Sequence, residues 1–172
     1  MKSQDLQPGD YPEYYQSYIS YLNKEEDLLE ILNKQKEEMS TFLNHLNSED
    51  LKKSYAPGKW TVSQVLQHMI DTERIFQYRA LRIARNDSTA LAGYDQDAYV
   101  IATANERSVN SYYEEYNAVR HSGICLFESF SDEMFRRKGI SNDQPLSAAA
   151  AAFIIAGHEK HHLILFKSNY KL

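Results

Sequence analysis

The sequence is poor in the residues that build disulfide-rich, turn-rich or membrane-spanning proteins. Of its 172 residues, one is cysteine, six are glycine and four are proline. The single cysteine, Cys125, excludes an internal disulfide and favours a reducing compartment. The few glycines and prolines favour helices over a β fold with many turns. The longest apolar run, residues 148–156, has nine residues, well short of the roughly 18 that a membrane span needs.

The chain also lacks any block of basic residues. Its 19 Lys and Arg are outnumbered by 24 Asp and Glu, which gives a net charge of -5. This balance argues against nucleic acid or an anionic membrane as the main partner. Because the amino-terminal residues are polar, we expect no signal peptide in this sequence. We therefore expect a soluble, cytoplasmic protein whose length suits a single domain with a full core.

Apolar residues recur at spacings of three and four along most of the chain, which predicts helices. The predicted elements are a short tyrosine-rich leading helix within residues 11–21 and long helices from Leu28 to Leu46, from Trp60 to about Arg85, from Ser108 to about Phe130, and from near Pro145 onward. We therefore predict an all-α fold, a four-helix bundle that occupies residues 1–172 as one domain. Residues 1–24 form an N-terminal extension that carries the short leading helix.

Two features between the predicted helices refine this picture. Thr61 is followed three residues later by Gln64, which predicts a capping box at the start of the second long helix. The connection from Asn86 to about Arg107 is longer than a tight turn needs, so it is expected to be a long crossover or a wall of an active site. A polar break from Gly139 to Gln144 precedes the last helix, and no strand of note is predicted.

The last helix contains three of the six histidines within five residues. His158 and His162 are four residues apart, so both rings lie on one face, in line with the apolar stripe. Buried imidazoles cost free energy unless their nitrogens are satisfied, and a transition metal satisfies them well. His161 and Glu159 fall toward the edge of the stripe.

The segment also matches the H-E-x-x-H pattern of zinc peptidases, but we reject that interpretation. The extended pattern needs a glycine and a histidine beyond the second histidine, and neither follows. Only ten residues remain after His162, too few for a distant ligand. A third ligand must therefore come from upstream, where the candidates are His45, His68 and His121.

His68 is the best of these candidates because it lies nearest the core stripe of its helix. One helix that presents two ligands and another that presents one is a natural arrangement in a bundle. We therefore predict a metal site of His68, His158 and His162. Three neutral imidazoles leave the ion its full charge and at least one open position, as in catalytic sites.

Glu73 and Arg120 are anomalous because each places a charge on an apolar helix face, where it would be costly if unpaired. The two residues can pair across the second and third long helices. Alternatively, Glu73 can accept a hydrogen bond from a ligating imidazole. A third interpretation is that both side chains extend to solvent.

Four segments of the chain, in this order and spacing, resemble the DinB superfamily, also called DinB/YfiT-like metalloenzymes. The segments are APGKWTV at 56–62, VLQHMIDTER at 65–74, LAGYD at 91–95 and IAGHEKHH at 155–162. The resemblance covers roughly residues 28–170. It implies a four-helix bundle, commonly dimeric, in which His68, His158 and His162 surround a zinc- or nickel-type divalent ion.

The resemblance implies less about the reaction. Characterised members include transferases that attach low-molecular-weight thiols to electrophiles, and a thiol-dependent isomerase. We therefore expect a metal-dependent enzyme of the thiol S-transferase type that acts on small-molecule electrophiles, with a low-molecular-weight thiol as cosubstrate. A thiol bound at a three-histidine ion would lose its proton and become nucleophilic.

Three alternatives remain open at this point. The ion can activate water, which makes the protein a metal-dependent hydrolase. The protein can instead be a non-enzymatic stress-response protein that binds a metal and a small anion. It can also be a structural helical module whose histidines only form hydrogen bonds. No residue besides the ligands can be named as a general acid or base, and the tyrosine-rich leading segment is a candidate homodimer interface.

Overall fold

The computed structural model describes residues 1–103 and 107–172 of the chain. Its helices are, in chain order, α1 (Gln16–Ile19), α2 (Leu28–His45), α3 (Val62–Ala84), α4 (Gln96–Ala102), α5 (Val109–Glu128), α6 (Asp132–Arg136) and α7 (Ala148–Leu165). Two short strands, β1 (Lys138–Ser141) and β2 (Gln144–Ser147), precede α7. The long helices α2, α3, α5 and α7 form a four-helix bundle, which confirms the predicted fold.

The long helices pack in an order that differs from their order in the chain. α2 packs against α5 and α7, and α3 packs against the same two helices. Consecutive helices α2 and α3 are therefore diagonally opposite, and α7 lies between them. This arrangement places the histidine-bearing faces of α3 and α7 against each other. In the described part of the chain, no helix combines the length and apolar character needed to cross a lipid bilayer.

The start of α3 follows directly from the local sequence. The Thr61 hydroxyl accepts a hydrogen bond from the backbone N–H of Gln64, whose side chain accepts one from the backbone N–H of Thr61. This capping box satisfies two amide donors that the first helical turn leaves without partners. It fixes the beginning of α3 and hence the rotational position of His68 around the helix.

A β-hairpin replaces the polar break that the sequence indicated between Gly139 and Gln144, so the helix-only prediction is incomplete. Strands β1 and β2 pair antiparallel through a turn at Asn142 and Asp143. Both turn residues have positive φ, 51° and 58°, as a two-residue hairpin turn requires and as Asn and Asp tolerate. Because Pro145 belongs to β2, α7 starts only at Ala148, with Ser147 as its N-cap.

The long connection between α3 and α5 is tied to this hairpin. The backbone N–H of Leu91 donates to the carbonyl of Ile140, and the backbone N–H of Asn142 donates to the carbonyl of Leu91, both at 2.9 Å. Helix α4 follows, with the Asp95 side chain as its N-cap. Residues 104–106 of the expected connection lie outside the described residues. The part before them forms a wall beside the bundle, one of the two expected arrangements.

A layer of buried polar side chains divides the bundle core where two apolar clusters meet. One cluster includes Phe76, Phe127 and Phe153, and the other includes Met39, Tyr112 and Phe166. The polar residues of the layer come from all four long helices: Gln35, His68, Thr72, Glu73, Arg120, His158, Glu159 and His162. The candidate site therefore lies in the middle of the bundle, with apolar packing on both sides.

Candidate metal centre

The side chains of His68, His158 and His162 converge where α3 meets α7. Nε2 of His158 lies 2.9 Å from Nε2 of His68 and 3.0 Å from Nε2 of His162. One ligand atom from each ring lies within 4.8 Å of the other two, and all three residues are buried. The structure thus brings together the three residues that the sequence selected, one of them from 90 residues away along the chain.

The chemistry of the three rings fits a divalent cation. Burial lowers the pKa of His68 to about 4 and holds the pKa of His158 and of His162 well below the usual 6.5. All three rings are therefore neutral near pH 7, and each has one nitrogen lone pair to offer. Nε2 of His158 carries either one proton or one lone pair, so it cannot form full hydrogen bonds to both neighbours. A shared cation would satisfy all three Nε2 atoms, and zinc accepts such nitrogens at about 2.0–2.1 Å.

Contacts outside the triad orient its rings. Thr72 Oγ1 lies 3.4 Å from Nδ1 of His68 and 2.8 Å from the Tyr94 hydroxyl. A proton on Nδ1 that faces Thr72 leaves the lone pair on Nε2, directed at the other histidines. Among the described residues, Nδ1 of His162 is buried without a hydrogen-bond partner. The His162 ring is instead held by edge contacts with the rings of His68 and His161.

A buried ion cluster lies directly behind the triad. Arg120, which is completely buried, donates to both carboxylate oxygens of Glu73 at 2.9 and 2.8 Å. Its Nη2 also donates to Glu159 at 2.7 Å. These bonds join α5 to α3 and to α7. The structure therefore shows the pairing of Glu73 with Arg120 that the sequence left as one of three interpretations, and adds Glu159 to it.

Glu159, which the sequence places toward the edge of the stripe, is buried beside Arg120. Burial raises its pKa to about 7, against the opposing effect of Arg120. The neighbouring Glu73 carboxylate raises this pKa further, because one guanidinium faces two carboxylates and can balance only one of them. A small cavity of about 10 Å³ is lined in part by His158 of the triad and by Glu73 and Glu159 of the ion cluster.

A larger cavity of about 300 Å³ opens beside the triad. Its polar lining is rich in tyrosine, with Tyr14, Tyr15, Tyr18 and Tyr94 around His68 and His158. Burial raises the pKa of Tyr18 and of Tyr94 above the usual 10.0. Their hydroxyls are therefore neutral and able to donate hydrogen bonds to an oxygen of a bound molecule. The volume suits a small organic molecule.

The leading helix closes one side of this cavity. A Cβ atom on Gly157 would lie 2.4 Å from the carbonyl oxygen of Tyr18, so α1 packs directly on the backbone of α7 at this glycine. The Tyr18 ring then contacts the rings of His158 and His161 at 5.4 and 5.3 Å between centroids. Three tyrosines of the leading segment, Tyr14, Tyr15 and Tyr18, thus line the cavity of their own chain, and the expected role of this segment in a homodimer interface stays a prediction.

The other three histidines lie outside the triad. His45 and His121 are exposed on α2 and α5. His161 is partly buried, and its ring contacts the ring of Tyr18 edge-on and the ring of Tyr21 at a tilt. Of the three upstream candidates, only His68 comes near the pair on α7.

Several residues of the site were not singled out from the sequence. Thr72 carries a signal that could have found it, because it lies four residues after His68 on the same face of α3. Tyr18 and Tyr94 reach the cavity from the N-terminal extension and from the α3–α5 connection. Their approach depends on how those segments fold back, which no local pattern reports.

Comparisons with known proteins agree with this fold. The sequence pattern of the DinB superfamily matches residues 31–165. A protein of Oceanobacillus iheyensis, named as a candidate metal-dependent hydrolase, is 27% identical over 127 residues, which is 73% of each chain. The solved structure of YfiT from Bacillus subtilis superimposes with a TM-score of 0.76 at 17% identity, covering 88% of this chain and 92% of that one. YfiT is described as a candidate metal-dependent hydrolase with an unusual four-helix bundle topology.

Fold and site together define a four-helix bundle that presents three buried histidines from two helices beside a cavity. The matched region includes all three histidines and both partners of the buried ion cluster on α3 and α5. The chain belongs to the DinB superfamily.

Proposed function

We propose that this protein is a metal-dependent enzyme of the hydrolase type, in which His68, His158 and His162 hold one divalent cation. The observation that carries the proposal is the convergence of three buried, neutral imidazoles next to a cavity of about 300 Å³. The names given to the relatives from O. iheyensis and B. subtilis support the same class of reaction. Zinc and nickel both suit three imidazole ligands.

The residues of this chain have distinct roles in the proposal. An ion held by three neutral ligands would supply Lewis acidity, which polarises a carbonyl or lowers the pKa of a water molecule toward 7. Thr72 orients the His68 ring through its contact with Nδ1. The hydroxyls of Tyr18 and Tyr94 donate hydrogen bonds to oxygen atoms of a small-molecule substrate in the cavity. The Arg120 cluster fixes α7 relative to α3 and α5.

A thiol S-transferase activity is the second candidate, because the same site chemistry would serve it. Three neutral ligands favour an anionic group as the fourth, and a thiolate is such a group. The cavity has room for more than water, as a thiol cosubstrate and an electrophile would require. The third candidate, a non-enzymatic protein that binds a metal and a small anion, predicts a loaded site without turnover.

The first experiment measures metal content by elemental analysis of protein purified without chelators. We expect about one divalent ion per chain, and its loss in His68→Ala and His162→Ala. His161→Ala is the matched control, since it removes a neighbouring histidine of the same helix that lies outside the triad. Wild-type protein that contains no metal and takes up none on addition of zinc or nickel would rule out the proposal.

The second experiment separates the candidate activities. Metal-loaded protein is offered a panel of carboxylic esters and amides, and separately a low-molecular-weight thiol with monochlorobimane. Metal-dependent hydrolysis that is lost in His68→Ala supports the hydrolase. Metal-dependent conjugation without hydrolysis supports the transferase instead, and a loaded protein inactive on both panels supports the binding protein.

A further inference from the structure

Arg79 is a buried cation without an anionic partner among the described residues. Its side chain is on α3, and the residue is only 4% exposed. One guanidinium nitrogen donates to the carbonyl of Ala92 at 3.1 Å, and the group lies 4.9 Å from the centre of the Phe76 ring. Asp95 lines the cavity beside the triad together with Arg79 but is exposed and forms no ion pair with it, and its Oδ1 accepts the two hydrogen bonds that cap α4. A cation left in this state is costly unless an anion from outside joins it.

A residue with an unpartnered hydroxyl lines a cavity together with Arg79. Ser141, at the end of β1, is 6% exposed, and its hydroxyl has no hydrogen-bond partner among the described residues. Ser141 and Arg79 both line a cavity of about 230 Å³, in which Arg79 is the only charged residue of the lining. A buried hydroxyl without a partner is unfavourable. The Ser141 hydroxyl, which has no partner, and the Arg79 guanidinium, which has no carboxylate partner, are thus two donors available to an anion in this cavity.

This cavity adjoins the one beside the histidine triad, because Arg79, Tyr14, Tyr15 and Asn142 line both. Along α3, positions 68, 72, 76 and 79 share one face, at spacings of four, four and three. Eleven residues of helix separate the Cα atoms of His68 and Arg79 by roughly 16 Å along its axis. One elongated small molecule can therefore reach the triad and Arg79 together, with its middle against Tyr15 and Phe76.

We propose that Arg79 and Ser141 bind the carboxylate of a small organic substrate whose other end reaches the histidine triad. This deepens the proposed function, on which it rests, by naming the class of substrate. A carboxylate fits better than a phosphate, because one guanidinium balances one negative charge, and a phosphate dianion would leave an uncompensated charge in a cavity lined by tyrosines. The tyrosine lining favours an aromatic or apolar body next to the carboxylate.

The test measures binding of phenylacetate by isothermal titration calorimetry, with phenylacetamide as its uncharged counterpart and inorganic phosphate as the competing anion. We expect phenylacetate to bind more tightly than either. Arg79→Gln should lower the affinity for phenylacetate by about ten- to hundredfold, which is the contribution of a charge-assisted hydrogen bond. Arg85→Gln, the same change on the exposed arginine that caps the C-terminus of α3, is the matched control and should bind like wild type.

Ser141→Ala provides a second test of the subsite in case Arg79→Gln does not fold. It removes a hydroxyl that has no partner, so it should not lower the melting temperature of the free protein. It should nevertheless lower the affinity for phenylacetate. The proposal would be overturned if phenylacetate and phenylacetamide bound equally, or if phosphate bound more tightly than phenylacetate. It would also be overturned if Arg79→Gln had no effect on phenylacetate binding, or if phenylacetate did not bind in the millimolar range.

The failure of this proposal can be distinguished from failure of the metal site. His68→Ala, which should lose the metal, should retain most of the phenylacetate affinity. Arg79→Gln should keep its metal. If wild-type protein binds phenylacetate through Arg79 but takes up no metal, the carboxylate subsite stands and the hydrolase proposal falls.

Discussion

The buried cluster of Arg120, Glu73 and Glu159 allows a prediction from charge counting. Replacing Arg120 by Met keeps most of the side-chain volume but leaves two buried carboxylates without a cation. Arg120 makes four contacts with carboxylate oxygens at 2.7–3.5 Å and is completely buried. Removing one partner of such a pair costs about 3–5 kcal/mol, which lowers the melting temperature by roughly 6–20 °C at this chain length.

Replacing one carboxylate should cost far less. Glu73→Gln leaves Arg120 paired with Glu159, so the cluster becomes neutral, and the Gln oxygen can still accept one hydrogen bond. We expect a loss of about 1 kcal/mol in the free energy of unfolding. The triple variant Arg120→Met, Glu73→Gln, Glu159→Gln should recover much of the stability lost by Arg120→Met alone, since no buried charge is left unpaired.

Urea denaturation of the metal-free proteins, followed by circular dichroism, measures these differences. The comparison uses the ordering of the variants rather than any absolute value, which makes it independent of the extrapolation to zero urea. A loss for Glu73→Gln that equals or exceeds the loss for Arg120→Met would refute the charge-counting argument. So would a triple variant less stable than Arg120→Met.

Two further predictions test how the site is held in place. Gly157→Ala should lower the melting temperature, because the new Cβ would lie 2.4 Å from the Tyr18 carbonyl oxygen. Overpacking of this kind costs about 1–3 kcal/mol, whereas alanine gains at most about 1 kcal/mol in helix propensity. A variant as stable as wild type would show that α1 is not packed against Gly157. Glu115 bridges Arg74 and Arg107, and although burial raises its pKa, the hydrogen bonds from these arginines outweigh burial and hold it below 4.5. Because the pKa of Glu115 is lower in the folded than in the unfolded protein, its stabilising effect is fully present above the unfolded-state pKa. This effect is lost as the pH falls through the folded-state pKa. The free energy of unfolding of wild type should therefore exceed that of Glu115→Gln by about 0.5–1 kcal/mol at pH 7, and this difference should vanish in acid. A difference in thermal unfolding that does not depend on pH would contradict this prediction.

The periodicity of the sequence determined the helices of the bundle. Leu28 and Val62 begin helices within two residues of the predicted starts, because apolar spacing and the Thr61 cap are properties of neighbouring residues. The spacing of His158 and His162 likewise sufficed to put both rings on one face. The hairpin was missed, since four-residue strands are too short to show a clear alternation.

The burial of Glu159 was not predicted, for a different reason. A stripe argument assumes that a helix has one face toward water, but α7 buries 14 of its 18 residues. A helix that is buried on nearly all sides has no edge at which a charged residue can reach solvent. Glu159 therefore needs a partner inside the protein, and Arg120 of α5 supplies it.

The sequence by itself determined which segments are helical, how they are capped, and that two histidines share one helix face. All of these depend on residues within a turn or two of each other. Only the tertiary structure decided that His68 reaches this pair, that two carboxylates share Arg120, and that Tyr18, Tyr94 and Arg79 line one connected space beside the triad. Those contacts join residues from different elements, and their distances follow from how α1, α3, α5 and α7 pack, which no local spacing encodes.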